Sequence, residues 1–212
     1  MLIDSHCHLN FPDLAGRIDE VKASMREKGV ERAVVISVNV PDYPAVKALA
    51  LAHEEFWATV GVHPDVEDGP DMDEDFLVAE AAHPKIIGIG ETGLDYHWCK
   101  GDLEWQRERF RRHIRAAHRA GVPLVIHTRE AADDTLAVMR EAGADAAGGV
   151  MHCFTENWDV ARAALDLGFY LSFSGILTFK NAAYLRDIAA ITGLRIETVS
   201  RTLKAMEAGG LS

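Results

Sequence analysis

Residues 86–127 read IIGIGETGLDYHWCKGDLEWQRERFRRHIRAAHRAGVPLVIH. An apolar run over 86–90 gives out at Glu91, and a second run over 123–126 gives out at His127. Between them, residues 103–120 have helical spacing. Leu103, Phe110, Ile114 and Ala117 form an apolar stripe, Arg and Glu fill the other face, and Gly121 closes the segment. The unit is strand, helix, strand, with a potential metal ligand where each strand ends. Strands buried on both faces and joined by a crossover of this length pair in parallel.

The same unit recurs outward in both directions. Further apolar runs lie at 2–5, 33–38, 57–62, 148–151 and 169–173, separated by stretches of roughly ten to eighteen residues with helical spacing and charged faces. His6 and His8 follow the first run and His152 follows the run at 148–151. A doubly wound sheet also satisfies this alternation, but only a closed rim brings the first strand close to the sixth. The expected fold is therefore α/β, a TIM-type (β/α) barrel. A complete barrel has eight strands, and nothing after residue 173 reads as a buried strand, so the barrel is expected to be incomplete, lacking the eighth.

Composition narrows the function. A length of 212 residues, 48% of them hydrophobic, suits one domain with a sizeable core, with or without a small appendage, and excludes a disordered chain. No apolar run approaches the roughly 20 residues that span a bilayer. The amino terminus carries Asp4, His6 and His8 where a signal peptide has a long apolar stretch, so a cytoplasmic setting is expected. Cys7, Cys99 and Cys153 are an odd number without CxxC spacing, which suggests neither disulfides nor a zinc knuckle. By strand alternation, Cys7 and Cys153 are expected to point outward under helices. A net charge of −11 argues against a broad basic nucleic-acid surface, so any phosphate contact must be local, and divalent cations could supply the positive field.

The candidate ligands each have a bland alternative. His6 and His8, two apart on extended backbone, point the same way and suit one ion, although the spacing alone is weak. Glu91 is placed to bridge two cations, its alternative being a helix cap or an ion pair with Arg129. Gly90 and Gly93 are expected to turn the chain sharply at the rim. His127 and His152 can each supply one nitrogen to a second ion. His63, ending the third run, is read as a group behind the ligands or in contact with substrate, and the alternative is a plain structural role. His53, His83, His113 and His118 are read as surface residues.

These residues resemble the TatD-like metal-dependent deoxyribonucleases. DSHCHLNF at the start, GVHP at 61–64, IGETGLDYHW at 89–98, the Q-x-x-x-F helix at 106–110, PLVIHTREA at 123–131, MHCFTE at 151–156 and FSGILTFKNA at 173–182 carry the resemblance, which runs to about residue 187. It implies a two-metal phosphodiester hydrolase that trims DNA from the 3′ end. His6 and His8 would hold the first ion, Glu91 would bridge, and His127 and His152 would hold the second. The ions would be magnesium, manganese or zinc, and an imidazole-rich shell suits the last two. Tyr96 and Arg129 are expected phosphate contacts at the same rim.

The family pattern continues into an eighth strand with an ETD-A-P motif, whose aspartate completes the first metal site, and no such motif occurs here. Partial metal binding and weak or absent nuclease activity are the expectation that follows, and Asp95 is only the nearest candidate in sequence for a substitute. The expected division is 1–187, the incomplete barrel, and 188–212, a helical tail. That tail resembles the helix-turn-helix of cyclic-AMP-receptor and FNR-type regulators, with Ala189, Gly193 and Val199 at the motif's spacing, and so suggests a fusion, a truncation or a frame-related artefact. Its net charge is only +1, from Arg195, Arg201 and Lys204 against Glu197 and Glu207, which is slight for reading DNA. The plainer expectation is an amphipathic helical pair laying Leu194, Val199, Leu203 and Met206 over the gap in the barrel. Two further readings stand beside the nuclease. One is an amidohydrolase acting on C–N or C–O bonds, disfavoured because such enzymes often bridge with a carbamylated lysine where Glu91 stands. The other is a non-catalytic remnant whose first and seventh strand edges are exposed.

Overall fold

A computed structural model describes residues 2–192. The elements run β1 (Leu2–Cys7), α1 (Pro12–Ala15), α2 (Ile18–Lys28), β2 (Val30–Val35), α3 (Tyr43–Ala52), β3 (Phe56–Val60), α4 (Glu74–Ala81), β4 (Ile86–Asp95), α5 (Glu104–Ala120), β5 (Leu124–Arg129), α6 (Ala132–Glu141), β6 (Gly149–Met151), α7 (Trp158–Asp166), β7 (Phe169–Leu171) and α8 (Ala183–Ile191). Among the described residues the seven strands form one sheet in sequence order, each parallel to its neighbours. This is the order a (β/α) barrel requires. Flat, the sheet would hold β1 roughly 24 Å from β6, at about 4.8 Å per step. Yet the His6 and His152 rings stack with centroids 3.3 Å apart, so the sheet is curled and its carboxyl ends face one another.

The core follows the apolar pattern. Phe56, Ile89 and Leu124 from the strands and Phe110, Ile114 and Ala117 from α5 are fully buried in one cluster, each large side chain contributing about 1.5–3 kcal/mol. α5 starts one residue after Leu103, and Gly121 ends it in the left-handed region at φ 67°, its N–H bonded to the Ala117 carbonyl. At the two ends of the strand order, Ile3 of β1 is 56% exposed and Tyr170 of β7 is 77% exposed, as expected of an open barrel edge.

β4 departs from the expected turn at the rim. It continues as a strand through Glu91 to Asp95, with a register shift between Gly90 and Thr92 against β5. The glycines therefore serve close strand approach. A Cβ on Gly90 would lie 2.5 Å from the Val125 carbonyl oxygen, and one on Gly93 would lie 2.0 Å from that of His127. The irregularity re-aims the Glu91 side chain inward. Cys153 also departs from expectation. It lies past β6 with φ 46°, outside the strand alternation, and its thiol meets the Ser174 hydroxyl at 2.9 Å. α8 runs through residue 187 without a break. The expected helix-turn-helix and the packing of Leu194, Val199, Leu203 and Met206 lie outside the described residues.

Candidate metal centre

β1 sends His6 inward, with the Asp4 carboxylate accepting from the His6 backbone N–H at 3.0 Å. His6 Nε2 lies 3.3 Å from His8 Nε2 and 3.3 Å from Glu91 Oε2. The other carboxylate oxygen, Glu91 Oε1, faces a second pair: His127 Nδ1 at 3.3 Å and His63 Nε2 at 3.7 Å. Glu91 thus separates two ligand groups, His6–His8–Glu91 and His63–Glu91–His127, the donor atoms of each within 4.8 Å of one another. Donors about 2.0–2.1 Å from a tetrahedral ion sit about 3.3 Å apart, so the spacing fits a cation in each group.

The chemistry of the donors fits as well. Burial opposes ionisation of Glu91, but hydrogen bonds from His127 and His6 and the charge of His6 and His63 outweigh it and hold the carboxyl well below the usual range. Burial lowers the pKa of His8, with the His6 charge adding to the effect, and burial together with the same charge pushes His152 down to about 3. An anionic carboxylate beside imidazoles, of which His8 and His152 are held neutral, is a donor set divalent cations take. The Nδ1 atoms of His6, His8 and His152 are buried with no hydrogen-bond partner in the protein, a concentration of unsatisfied polar atoms unusual for a core.

His152 and His63 lie on opposite sides of Glu91. His152 stacks on His6, rings within 5° of parallel, beside the first group. His63 comes forward to Glu91, with its Nδ1 2.6 Å from Asp65. The partners of Glu91 are imidazoles, which sets aside the cap and Arg129 alternatives. Tyr96 and Arg129 do lie at the rim, but the Tyr96 hydroxyl donates to Asp134 at 2.6 Å and the Arg129 guanidinium stacks 5.4 Å from the centre of the exposed Trp98 ring.

Asp95, the nearest candidate in sequence for a substitute carboxylate, is fully buried and hydrogen-bonded elsewhere. Its Oδ1 accepts the His97 and Trp98 N–H groups at 2.9 Å, and its Oδ2 meets His127 Nε2 at 3.0 Å. It fixes the tautomer and tilt of His127, leaving Nδ1 for the Glu91 side. Burial lowers the pKa of His127, but the hydrogen bonds and charge of Glu91 and Asp95 outweigh it and the value rises, so a cation entering that group displaces a proton.

His113 corrects a reading made from its position in a helix. It is fully buried, not a surface residue; Nε2 accepts the Val62 N–H at 3.1 Å and Nδ1 donates to the Arg109 carbonyl at 2.9 Å. Burial pushes its pKa down to about 4. Since that is below the unfolded value near 6.5, neutral His113 contributes stability that is complete above pH ~6.5 and is lost as pH falls toward 4, on the order of 3 kcal/mol. Denaturant unfolding of metal-free protein at pH 7 and pH 4.5 should show this loss, and His113→Leu should show a smaller pH dependence. An equal dependence in the variant would assign the loss to other groups.

Fold and site together define a class, the barrel-fold metal-dependent hydrolases. Within it, the family described as TatD related DNase matches residues 3–198, and the chain belongs to that family. The uncharacterized metal-dependent hydrolase YabD of Bacillus subtilis (strain 168) is 38% identical over 189 residues, 89% of this chain and 74% of its own. YcfH of Escherichia coli (strain K12), likewise named an uncharacterized metal-dependent hydrolase, is 40% identical over 191 residues, covering 89% and 72%. The crystal structure of YjjV, a TatD homolog from Escherichia coli K12, matches with a TM-score of 0.80 at 26% identity, over 89% of this chain and 74% of its own.

Proposed function

We propose that this chain hydrolyses phosphodiester bonds of DNA, removing nucleotides from the 3′ end, with one divalent cation held by His6, His8 and Glu91 and a second by Glu91, His127 and His63, His152 lying beside the first. The observation that carries the reading is that the two oxygens of one buried carboxylate face two separate imidazole groups. Bound there, divalent cations supply Lewis acidity and bring the pKa of water from 15.7 to about 7. Ionised Glu91 holds the groups together and Asp95 orients His127. Arg129 and Tyr96, at the mouth, are placed to meet a phosphate locally, which suits a chain of net charge −11. Manganese or zinc suits the imidazole-rich groups. No described helix is long and apolar enough to cross a membrane, which accords with the cytoplasmic setting we assign.

The test uses protein stripped with a chelator, then reloaded with Mn²⁺, and single-stranded DNA labelled at its 5′ end. Metal-dependent shortening one nucleotide at a time from the 3′ end supports the reading. Intact DNA alongside metal-dependent cleavage of a cyclic amide would overturn it in favour of amidohydrolase chemistry.

A further inference from the structure

One face of α5 remains unexplained by the site. Gln106, Arg109 and His113 fall at helical positions i, i+3 and i+7, and all three are buried although polar. Burying such groups costs free energy unless each is hydrogen-bonded. Their partners are concentrated. Gln106 donates to the Pro64 carbonyl at 2.9 Å and accepts the Asp95 N–H at 2.8 Å. Arg109 donates to the carbonyls of Val66 at 2.7 Å and His63 at 3.3 Å, and its Nε pairs with Asp71 at 3.2 Å. His113 accepts the Val62 N–H. Backbone groups from Val62 to Val66, on both sides of His63, are therefore tied to a single helix, as is the backbone of Asp95, whose carboxylate grips His127.

We propose that Gln106, Arg109 and His113 form a positioning clasp that sets His63 and, through Asp95, His127 against Glu91, while His6 on β1 and His8 just past its end are placed independently. The inference rests on the two-cation reading above. Among the described residues no hydrogen bond from these three side chains reaches β1, whose ladder runs to β2. Weakening the clasp therefore acts on one ligand group alone. Groups that orient metal ligands from behind are worth about 10- to 100-fold in affinity, because ligands must be held to within ~0.5 Å.

Mn²⁺ binding to the full chain, followed by calorimetry and by electron paramagnetic resonance, tests this. His63→Ala and His8→Ala identify which of two binding steps belongs to which group. Arg109→Lys keeps the charge facing Asp71 but loses the forked donors, and Gln106→Glu keeps an acceptor for the Asp95 N–H but loses the donor to Pro64. Circular dichroism establishes that each is folded. In both variants the step lost in His63→Ala should weaken about 10- to 100-fold, with the step lost in His8→Ala within about threefold of the parent. In the double variant with His63→Ala, the clasp substitution should have no further effect on the remaining step. Parallel weakening of both steps, or none, would overturn the clasp and leave the two-cation reading standing. A parent chain that binds no Mn²⁺ would overturn that reading, and the clasp with it.

Discussion

Glu91→Gln is expected to lose both cation-binding steps and at least about 10³-fold in metal-dependent phosphodiester hydrolysis, about 4 kcal/mol of transition-state stabilisation. The argument is geometric first. Glu91 is the residue common to both ligand groups, so replacing one oxygen by an amide nitrogen puts a donor where one cation needs an acceptor. The remaining oxygen can face only one group. It is also electrostatic. Glu91 supplies the negative charge shared by the two groups, and four imidazoles alone offer two dications nothing to offset their mutual repulsion. Since Gln is nearly isosteric, the fold should persist, and thermal unfolding of the metal-free variant separates the two effects. Retention of one full-affinity Mn²⁺ step with activity within tenfold of the parent would mean that Glu91 does not bridge.

Much of this site was legible in the sequence because a barrel turns strand order into proximity. Once the apolar runs were seen to alternate with helices, the polar residues at their ends had to share a rim, and His6, His8, Glu91 and His127 do meet. Legibility failed where apolar runs stop being a guide to strand length. β4 carries on for five residues beyond Gly90, since glycines that look like turn residues were instead admitting the backbone of β5. It failed again on α5, where the Arg residues and His113 read as facing water. His113 lies three residues after Phe110 and four before Ala117, on the apolar stripe itself, and that position was the available signal that it is buried. What no periodicity discloses is the partner: the hydrogen bonds of α5 go to loop carbonyls and N–H groups, and backbone groups carry no sequence identity. The approach of His63 to Glu91 and the stacking of His152 on His6 were illegible for the same reason, because the sequence orders strand ends but not the depth to which each side chain reaches.

Gly93→Ala should be among the most damaging small substitutions in the described fold, costing more than about 4 kcal/mol or preventing accumulation of folded protein. Gly93 has φ 130°, and an added Cβ would sit 2.0 Å from the His127 carbonyl oxygen, 3.0 Å from its carbonyl carbon and 3.1 Å from its nitrogen. All three are backbone atoms, so no side chain can swing aside, and relief requires β4 and β5 to separate at the register that pairs Gly93 with His127. Separation there pulls Asp95 from His127 as well, so metal affinity at the second group should fall with stability. Gly16 is the control: its φ is −82° and nothing lies within 4 Å of an added Cβ, so Gly16→Ala should stay within about 0.5 kcal/mol of the parent or stabilise slightly. Urea unfolding of the three proteins at one pH decides the matter. A Gly93→Ala protein within about 1 kcal/mol of the parent would show that the strands do not approach this closely, and the register that sets Glu91 against His127 would have to be redrawn.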